Sequence, residues 1–301
     1  MPILNSKNLK NILVTGGAGF IGSNLIKELL MNHKFNKIVS IDNYSTGRKS
    51  NHHKNKKVEY VKLDCRKIFE NKQVLNFKPQ YIFHFGEFSR VVPSFDLVHD
   101  CLDNNISGTY NVLKYALRNK SKLIYSASSM SIGDKKNENL SLYAWTKAKN
   151  FELIRNFDRW YGLNYTSVCF FNVFGENQIS IGPMASVIGI FERQYRNRKP
   201  LTIVRPGTQK RDFTHIGDAV NGAILSAKKG SKKMYFIGSG KPYSILNVTK
   251  KFKTNIKYIP KRPGEKFTGK AKLYLSSKEL GYRPRYNLES YIKNFIKNTK
   301  I

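Results

Sequence analysis

Acidic residues are scarce in this chain of 301 residues: 20 Asp and Glu stand against 53 Lys and Arg, a net charge of +33. Such an excess raises nucleic acid or an anionic membrane as a partner. The basic residues are nevertheless spread along the whole length, from Lys54–Lys57 through Lys228–Lys233 to Lys297–Lys300, with no tail, zinc module or RNA-binding signature. They read as a solvated surface with no specific nucleic-acid partner. Cysteine is scarcer still. Cys65, Cys101 and Cys169 are odd in number, far apart and without paired ligand spacing, which excludes a disulfide framework and a zinc module and predicts reduced, buried thiols. The adjacent His52 and His53 lie in a lysine-rich polar stretch, so no metal is expected. No apolar run approaches the roughly 18 residues that span a bilayer. The first strand starts so close to Met1 that a leader is not expected, and a soluble, cytoplasmic protein without membrane insertion is.

What is present organises itself around residues 15–22, Thr-Gly-Gly-Ala-Gly-Phe-Ile-Gly, between the apolar run Ile12-Leu13-Val14 and an apolar-periodic stretch through Leu25, Ile26, Leu29 and Leu30. That pattern predicts strand, glycine turn and helix. Gly16 suits the tight turn, Gly19 a close backbone approach to a pyrophosphate, and Gly22 close packing of the helix on its strand, with the N–H groups around Phe20 and Ile21 facing phosphate. Asp42, twenty residues past Gly22, ends a second apolar run. A carboxylate there accepts from an adenosine ribose and repels a 2′-phosphate, so NAD is expected rather than NADP.

Further strands are expected at 58–63, 81–85 and 123–127, with a helix over 97–117. Ser128 stands at the end of one strand. After it comes Tyr143-Ala-Trp-Thr-Lys147, with a phenol and an ammonium one helical turn apart on one face. A phenol that ordinarily titrates near about 10 needs a shift of roughly 3 units, about 4 kcal/mol, to act as a base near neutrality, and a neighbouring cation acts in that direction. His84, inside a buried apolar strand, reads as a structural histidine.

These motifs carry a resemblance. The glycine spacing i, i+3, i+6, the stretches Asp42-Asn-Tyr-Ser-Thr-Gly47, His84-Phe-Gly-Glu87 and Asn105-Ile-Ser-Gly-Thr109, then Tyr143-x-x-x-Lys147, Phe170-Phe-Asn-Val-Phe-Gly175, Arg211-Asp-Phe-Thr-His215, Arg262-Pro-Gly-Glu265 and Leu280-Gly-Tyr-Arg-Pro284 resemble the NAD-dependent epimerase/dehydratase family of extended short-chain dehydrogenases/reductases over nearly the whole length. The resemblance implies an α/β chain. Its expected parts are a Rossmann-type doubly wound parallel sheet over 1–172, partly rejoined by 201–238, and a smaller C-terminal α/β substrate-binding lobe from 173–200 and 239–301.

It further implies a Ser128, Tyr143, Lys147 triad: Tyr143 as acid/base, Ser128 bonding the reacting sugar hydroxyl, and Lys147 holding the nicotinamide ribose. Asn43, Asp64 and Cys65 would join the NAD site, although Asp64 reads equally well as a helix N-cap. Asn172, Arg211 and Arg262 would bind the diphosphate of a nucleotide sugar, UDP-linked by analogy, in a homodimer. Two departures stand out. The family has a second small residue where Glu87 is, and Glu87 either reaches a substrate hydroxyl or turns to solvent. The acids that dehydratases and decarboxylases carry just after the Ser are replaced by Ser129 and Met130. The residues that remain suffice for 4-epimerisation by transient oxidation at sugar carbon 4. Other nucleotide-sugar chemistry (dehydratase, reductase or dehydrogenase) and a non-catalytic NAD-binding protein with a polyanion-binding surface stay open, and Gly269, near the expected sugar pocket, is small enough to admit an N-acetyl group.

Overall fold

The computed structural model describes residues 10–131, 139–264 and 269–299. Strands β1 (Asn11–Thr15), β2 (Lys37–Asp42), β3 (Val58–Lys62), β4 (Tyr81–His84), β5 (Lys122–Ser128), β6 (Tyr165–Phe170) and β11 (Met234–Ile237) form one seven-stranded sheet in the order β11-β6-β5-β4-β1-β2-β3, every neighbouring pair parallel. Parallel strands joined by helical crossovers are covered on both faces, which is why β1, β4 and β5 read as nearly unbroken apolar runs. Side chains alternate along β1. Ile12 and Val14 pack with Leu25, Ile26 and Leu29 of α1 (Phe20–Asn32) and with Ala219, Val220 and Ala223 further along the chain. Leu13 points the other way, into a cluster with Ile82, Val112, Leu113, Leu123 and Ile154.

Two short helices, α2 (Lys72–Asn76) and α3 (Pro93–Asp96), precede the long crossover expected as one helix over 97–117. That crossover is α4 (Val98–Leu102), a π-helical segment over Asp103–Ser107, and α5 (Gly108–Asn119). A π turn admits one extra residue, and here it carries Asn105 fully inside, where its amide bonds Phe88 N (2.7 Å), Phe88 O (3.3 Å) and Thr146 Oγ1 (2.9 Å). Helix α6 (Leu142–Tyr161) begins at Ser141, whose hydroxyl caps it by accepting from Ala144 N.

The later residues build three two-stranded pairings: β7 (Val173–Phe174) with β10 (Thr214–His215), β8 (Leu201–Val204) with β13 (Ile256–Ile259), and β9 (Lys210–Asp212) with β12 (Pro242–Ser244). Around them α7 (Val187–Arg196), α9 (Ile245–Lys251) and α10 (Leu288–Asn298) share a separate apolar cluster with Phe174, Phe191, Ile203, Phe252 and Ile292, while α8 (Ile216–Lys229) returns the chain to the large sheet at β11. The order of the large sheet reverses direction between β1 and β4. The carboxyl ends of strands at such a switch point form the crevice where open α/β sheets bind ligands, and Gly16, Asp42, Glu87 and Ser128 all lie at those ends.

Candidate active site

The glycine turn is set by close approach. Gly16 has φ +68°, and a Cβ there would stand 2.8 Å from the backbone of Phe85 and Gly86, so the walls of the crevice touch. A Cβ on Gly22 would fall 2.2 Å from Gly16 O, and one on Gly17 2.0 Å from Ser40 Oγ. Gly19 differs: its Cβ would meet only Gly16 O, at 3.1 Å, with open space otherwise. Gly19 is also the N-cap of α1 and supplies no side-chain cap, so the first N–H groups of the helix, beside half-buried Phe20 and Ile21, are left for an anion.

Asp42 ties this turn to the next loop. One carboxylate oxygen accepts from Ala18 N (3.0 Å) and the other from Tyr44 N (2.8 Å), and burial raises its pKa from the ordinary range. A Cβ on Gly47 would lie 2.8 Å from both oxygens, so only glycine fits against the carboxylate there. Asn43 donates to Asp64 (2.9 Å). Asp64 also caps the 3₁₀ segment Cys65–Glu70 through Arg66 N (2.9 Å) and pairs side-on with the Arg66 guanidinium. Burial alone would raise the Asp64 carboxyl, but the bonds from Arg66 and Asn43 outweigh it and hold it at about 2. Cys65 is buried against Gly86 O and its thiol is pushed up to about 12, so it is an uncharged wall.

On the far side of the crevice, Ser128 is the last residue of β5, nearly buried, with Met130 N donating to its Oγ (3.2 Å). Tyr143 lies in the first turn of α6 in an apolar cluster with Phe88, Cys101, Val91, Met130 and Met184. Arg90 faces it, held by Met184 O (2.9 Å) and Ser89 O (2.9 Å); burial lowers its pKa and the charge of Tyr143 opposes that. Lys147 Nζ donates to Ser126 O (2.6 Å), lies 5.0 Å from the centre of the Tyr125 ring, and is ion-paired with Glu87, both side chains almost wholly buried. Glu87, expected either to reach a substrate hydroxyl or to turn to solvent, does not turn to solvent: its side chain is buried against Lys147. His84 is structural as expected. It bridges Thr15 Oγ1 (2.7 Å) and Thr109 Oγ1 (3.0 Å), and burial lowers its pKa to about 4.

The third group comes from the later residues. Asn172 has φ +32° and donates to Asp212 O (2.9 Å). Arg211 is half-buried in β9, and Arg262 is exposed in a loop that packs on the Tyr143 side, where a Cβ on Gly264 would meet Val91, Leu140 and Phe95. Glu265 of that motif lies outside the described residues. Between the two arginines in the sequence is a hub that motif reading passes over. Asp212, fully buried, accepts from Ser239 N (2.8 Å), Ser239 Oγ (2.6 Å), Gly240 N (2.9 Å) and Ala271 N (2.9 Å).

A family model described as the NAD dependent epimerase/dehydratase family matches residues 12–267. The chain belongs to that family. It is 33% identical over 95% of its length to a protein of Methanocaldococcus jannaschii provisionally named UDP-glucose 4-epimerase, covering 98% of that protein. It is 26% identical to UDP-glucuronic acid decarboxylase 6 of Arabidopsis thaliana, with 95% of this chain and 89% of the relative aligned. Among solved structures, the UDP-glucose 4-epimerase of Thermotoga maritima with UDP-glucose superposes with a TM-score of 0.88 at 26% identity, covering 95% of this chain and 97% of the other.

The residues present fit the NAD of the epimerase/dehydratase family. The turn leaves space beside Gly19, the helix end above it is uncapped, and Asp42 stands at the end of β2 with Gly47 against it. Arg90, which faces Tyr143, is a residue of this site that motif reading passes over; its position just after β4 offered a signal, because ligands of this fold class gather at strand ends.

Proposed function

We propose that the chain is an NAD-dependent enzyme that interconverts the 4-epimers of a UDP-linked sugar. The observation that carries this is the surroundings of Tyr143. At position 130, where dehydratases and decarboxylases of the family are expected to carry an acid, Met130 packs in the same apolar cluster as the phenol. The buried acid nearest in sequence to the crevice wall, Glu87, is committed to Lys147. Among these described residues a base, a hydroxyl and a cation remain, with no second carboxylate beside them to drive elimination or decarboxylation.

In this reading Tyr143 takes the proton of the sugar 4-hydroxyl, and Ser128 Oγ bonds the same oxygen and orients it. NAD, when bound on Gly16, Gly19, Phe20, Ile21, Gly22, Asp42, Asn43, Asp64, Cys65, Tyr143 and Lys147, supplies the hydride acceptor and donor. Asn172 and the forked guanidinium groups of Arg211 and Arg262 hold the diphosphate. A sugar oxidised at carbon 4 no longer distinguishes the two epimers. An anchored diphosphate and a loosely held ring let Tyr143 return its proton to either product. Among the described residues nothing stands within 4 Å of a Cβ at Gly269, which supports acceptance of N-acetylated sugars. Exposed Leu97, Val98, Leu102 and Tyr110, on or beside α4 and α5, support a homodimer through those helices.

The test is proton NMR of UDP-glucose, UDP-galactose and their N-acetyl counterparts incubated with NAD and either the protein or its Tyr143→Phe variant. Interconversion of one 4-epimer pair without net NADH, reduced at least about a hundredfold by the substitution, is expected. A 4-keto-6-deoxy sugar, a pentose product or accumulating NADH would replace the epimerase with a dehydratase, decarboxylase or dehydrogenase.

A further inference from the structure

Glu87 departs from the family pattern, and its surroundings are built for a carboxylate. Its side chain is 1% exposed. Oε1 accepts from Thr109 Oγ1 (3.0 Å), Tyr125 Oη (3.1 Å) and Asn150 Nδ2 (3.0 Å), and Oε2 pairs with Lys147 Nζ; Ser126 Oγ, 3.4 Å from Oε2, donates to His84 O (2.9 Å). Donors thus come from α5, β5 and two turns of α6. A carboxylate has room for about four such bonds, so the site is saturated. Lys147 donates to Glu87 and Ser126 O and also stands 3.5 Å from Ser126 Oγ. The other titratable groups around the pair are His84 from β4, Tyr125 from β5, Tyr143 from α6 and the buried thiols of Cys65 and Cys101; Arg90 lies beyond them, facing Tyr143. Burial lowers His84 to about 4 and raises Cys65 to about 12 and Cys101 to about 11, so none of these three adds a charge near neutrality.

Tyr143 and Lys147 are one helical turn apart, and an isolated ammonium at that spacing would present a full positive charge to the phenol. We propose that Glu87 is a positioning residue for the Tyr143–Lys147 couple: it locks the Lys147 ammonium against β5 and cancels most of its charge as felt at Tyr143. This rests on the reading of Tyr143 as acid/base. The consequence is a working pH range placed higher than the triad alone would set. Replacing the carboxylate by a neutral group exposes Tyr143 to the uncompensated ammonium, which favours the phenolate at lower pH, so the alkaline limb of the pH–rate profile is translated rather than scaled down. A purely structural pair would lower the rate at every pH and leave the limbs in place.

The test compares the protein with Glu87→Gln, which keeps the shape, and Glu87→Ala, which supplies the small residue common at this position in the family, each with and without Tyr143→Phe. Subtracting ultraviolet titrations across Tyr143→Phe isolates the Tyr143 phenolate without requiring any substrate. Its midpoint is expected about one pH unit lower when Glu87 is neutral. The same shift, with the alkaline limb following, is expected in the pH profile of whichever UDP-hexose is turned over. An unmoved or raised midpoint in a folded variant would overturn the proposal, and so would loss of fold in both variants, which would make the pair a structural element alone. If Tyr143→Phe leaves turnover intact, the acid/base reading falls, and the phenolate titration still decides what Glu87 does to Tyr143.

Discussion

Gly19 and Gly22 lie three residues apart in one turn, and the structure predicts opposite consequences of adding one methyl group to each. At Gly22 the new carbon would sit 2.2 Å from Gly16 O and 2.8 Å from Gly17 Cα, all backbone, so α1 itself has to move. Overpacking of that kind costs about 1–3 kcal/mol, and the gain in helix propensity returns at most about 1. Gly22→Ala is therefore expected to lose about 1–2 kcal/mol. At Gly19, φ is −80° and the only neighbour is Gly16 O at 3.1 Å. Alanine is a poorer N-cap than glycine by up to about 1 kcal/mol, which the reduced freedom of the unfolded chain largely offsets, so Gly19→Ala should fold within roughly 0.5 kcal/mol of the parent. The methyl would instead occupy the open space where a pyrophosphate approaches, weakening NAD about tenfold to a hundredfold, or 1.4–2.8 kcal/mol. Urea denaturation without ligand reads the first quantity and calorimetric titration with NAD the second. Normal NAD affinity in Gly19→Ala, or a stability loss equal to that of Gly22→Ala, would refute the assignment of the turn to phosphate.

Two further expectations concern the carboxylates. Asp212→Asn turns an acceptor into a donor facing the N–H groups of Ser239, or those of Gly240 and Ala271, and should destabilise the chain by about 2–4 kcal/mol in urea; a loss below about 1 would show that Asp212 does not tie these segments together. Asp64, held at about 2 in the folded chain against an ordinary value of 3.8, contributes stability that is present above the unfolded value and is lost as pH falls through the folded one. Because Arg66 is 38% exposed, solvent screening reduces this to about 1 kcal/mol. Asp64→Asn keeps the cap, so the urea midpoint should fall less steeply between about pH 4 and 2 than in the parent, and identical slopes would count against the charge pairing.

The glycine turn, Asp42 and the Tyr143/Lys147 spacing were legible because each is a local pattern whose chemistry depends on neighbours along the chain. The central sheet followed from apolar runs and crossover lengths. The crossover over 97–117 was legible only as helical. A 3.6-residue period carries no mark of the extra residue in the π segment, and that residue is what turns Asn105 inward toward Thr146. Met130 was read as a missing acid, while its packing in the cluster with Tyr143 depends on segments that meet only in the fold. Arg211 entered through a motif, yet the residue that ties its strand to the rest of the fold is the adjacent Asp212, whose partners lie 27, 28 and 59 positions away.

The scarcity of acid in this sequence acquires a structural meaning once the buried carboxylates are located. Asp42 joins the glycine turn to the Asn43–Gly47 loop, Asp212 joins β9 to the chain after β11 and to Ala271, Asp218 accepts from Arg285 N and Tyr286 N, and Glu192 accepts from Tyr291 Oη. Each gathers donors from segments that meet in the fold, at about 0.5–1.5 kcal/mol per bond and more where the donor is buried. None of these can be exchanged for lysine, whereas a solvated surface can accept lysine freely. The excess of positive charge is therefore a property of the surface, and the interior retains acids wherever a donor cluster requires one. Glu87 belongs to that interior set by its four donors, but one of those donors is the ammonium beside the candidate catalytic phenol. At this position a fold requirement and the tuning of the reaction meet in one side chain, which is why neutralising Glu87 is expected to move a pH profile where neutralising Asp212 would move only stability.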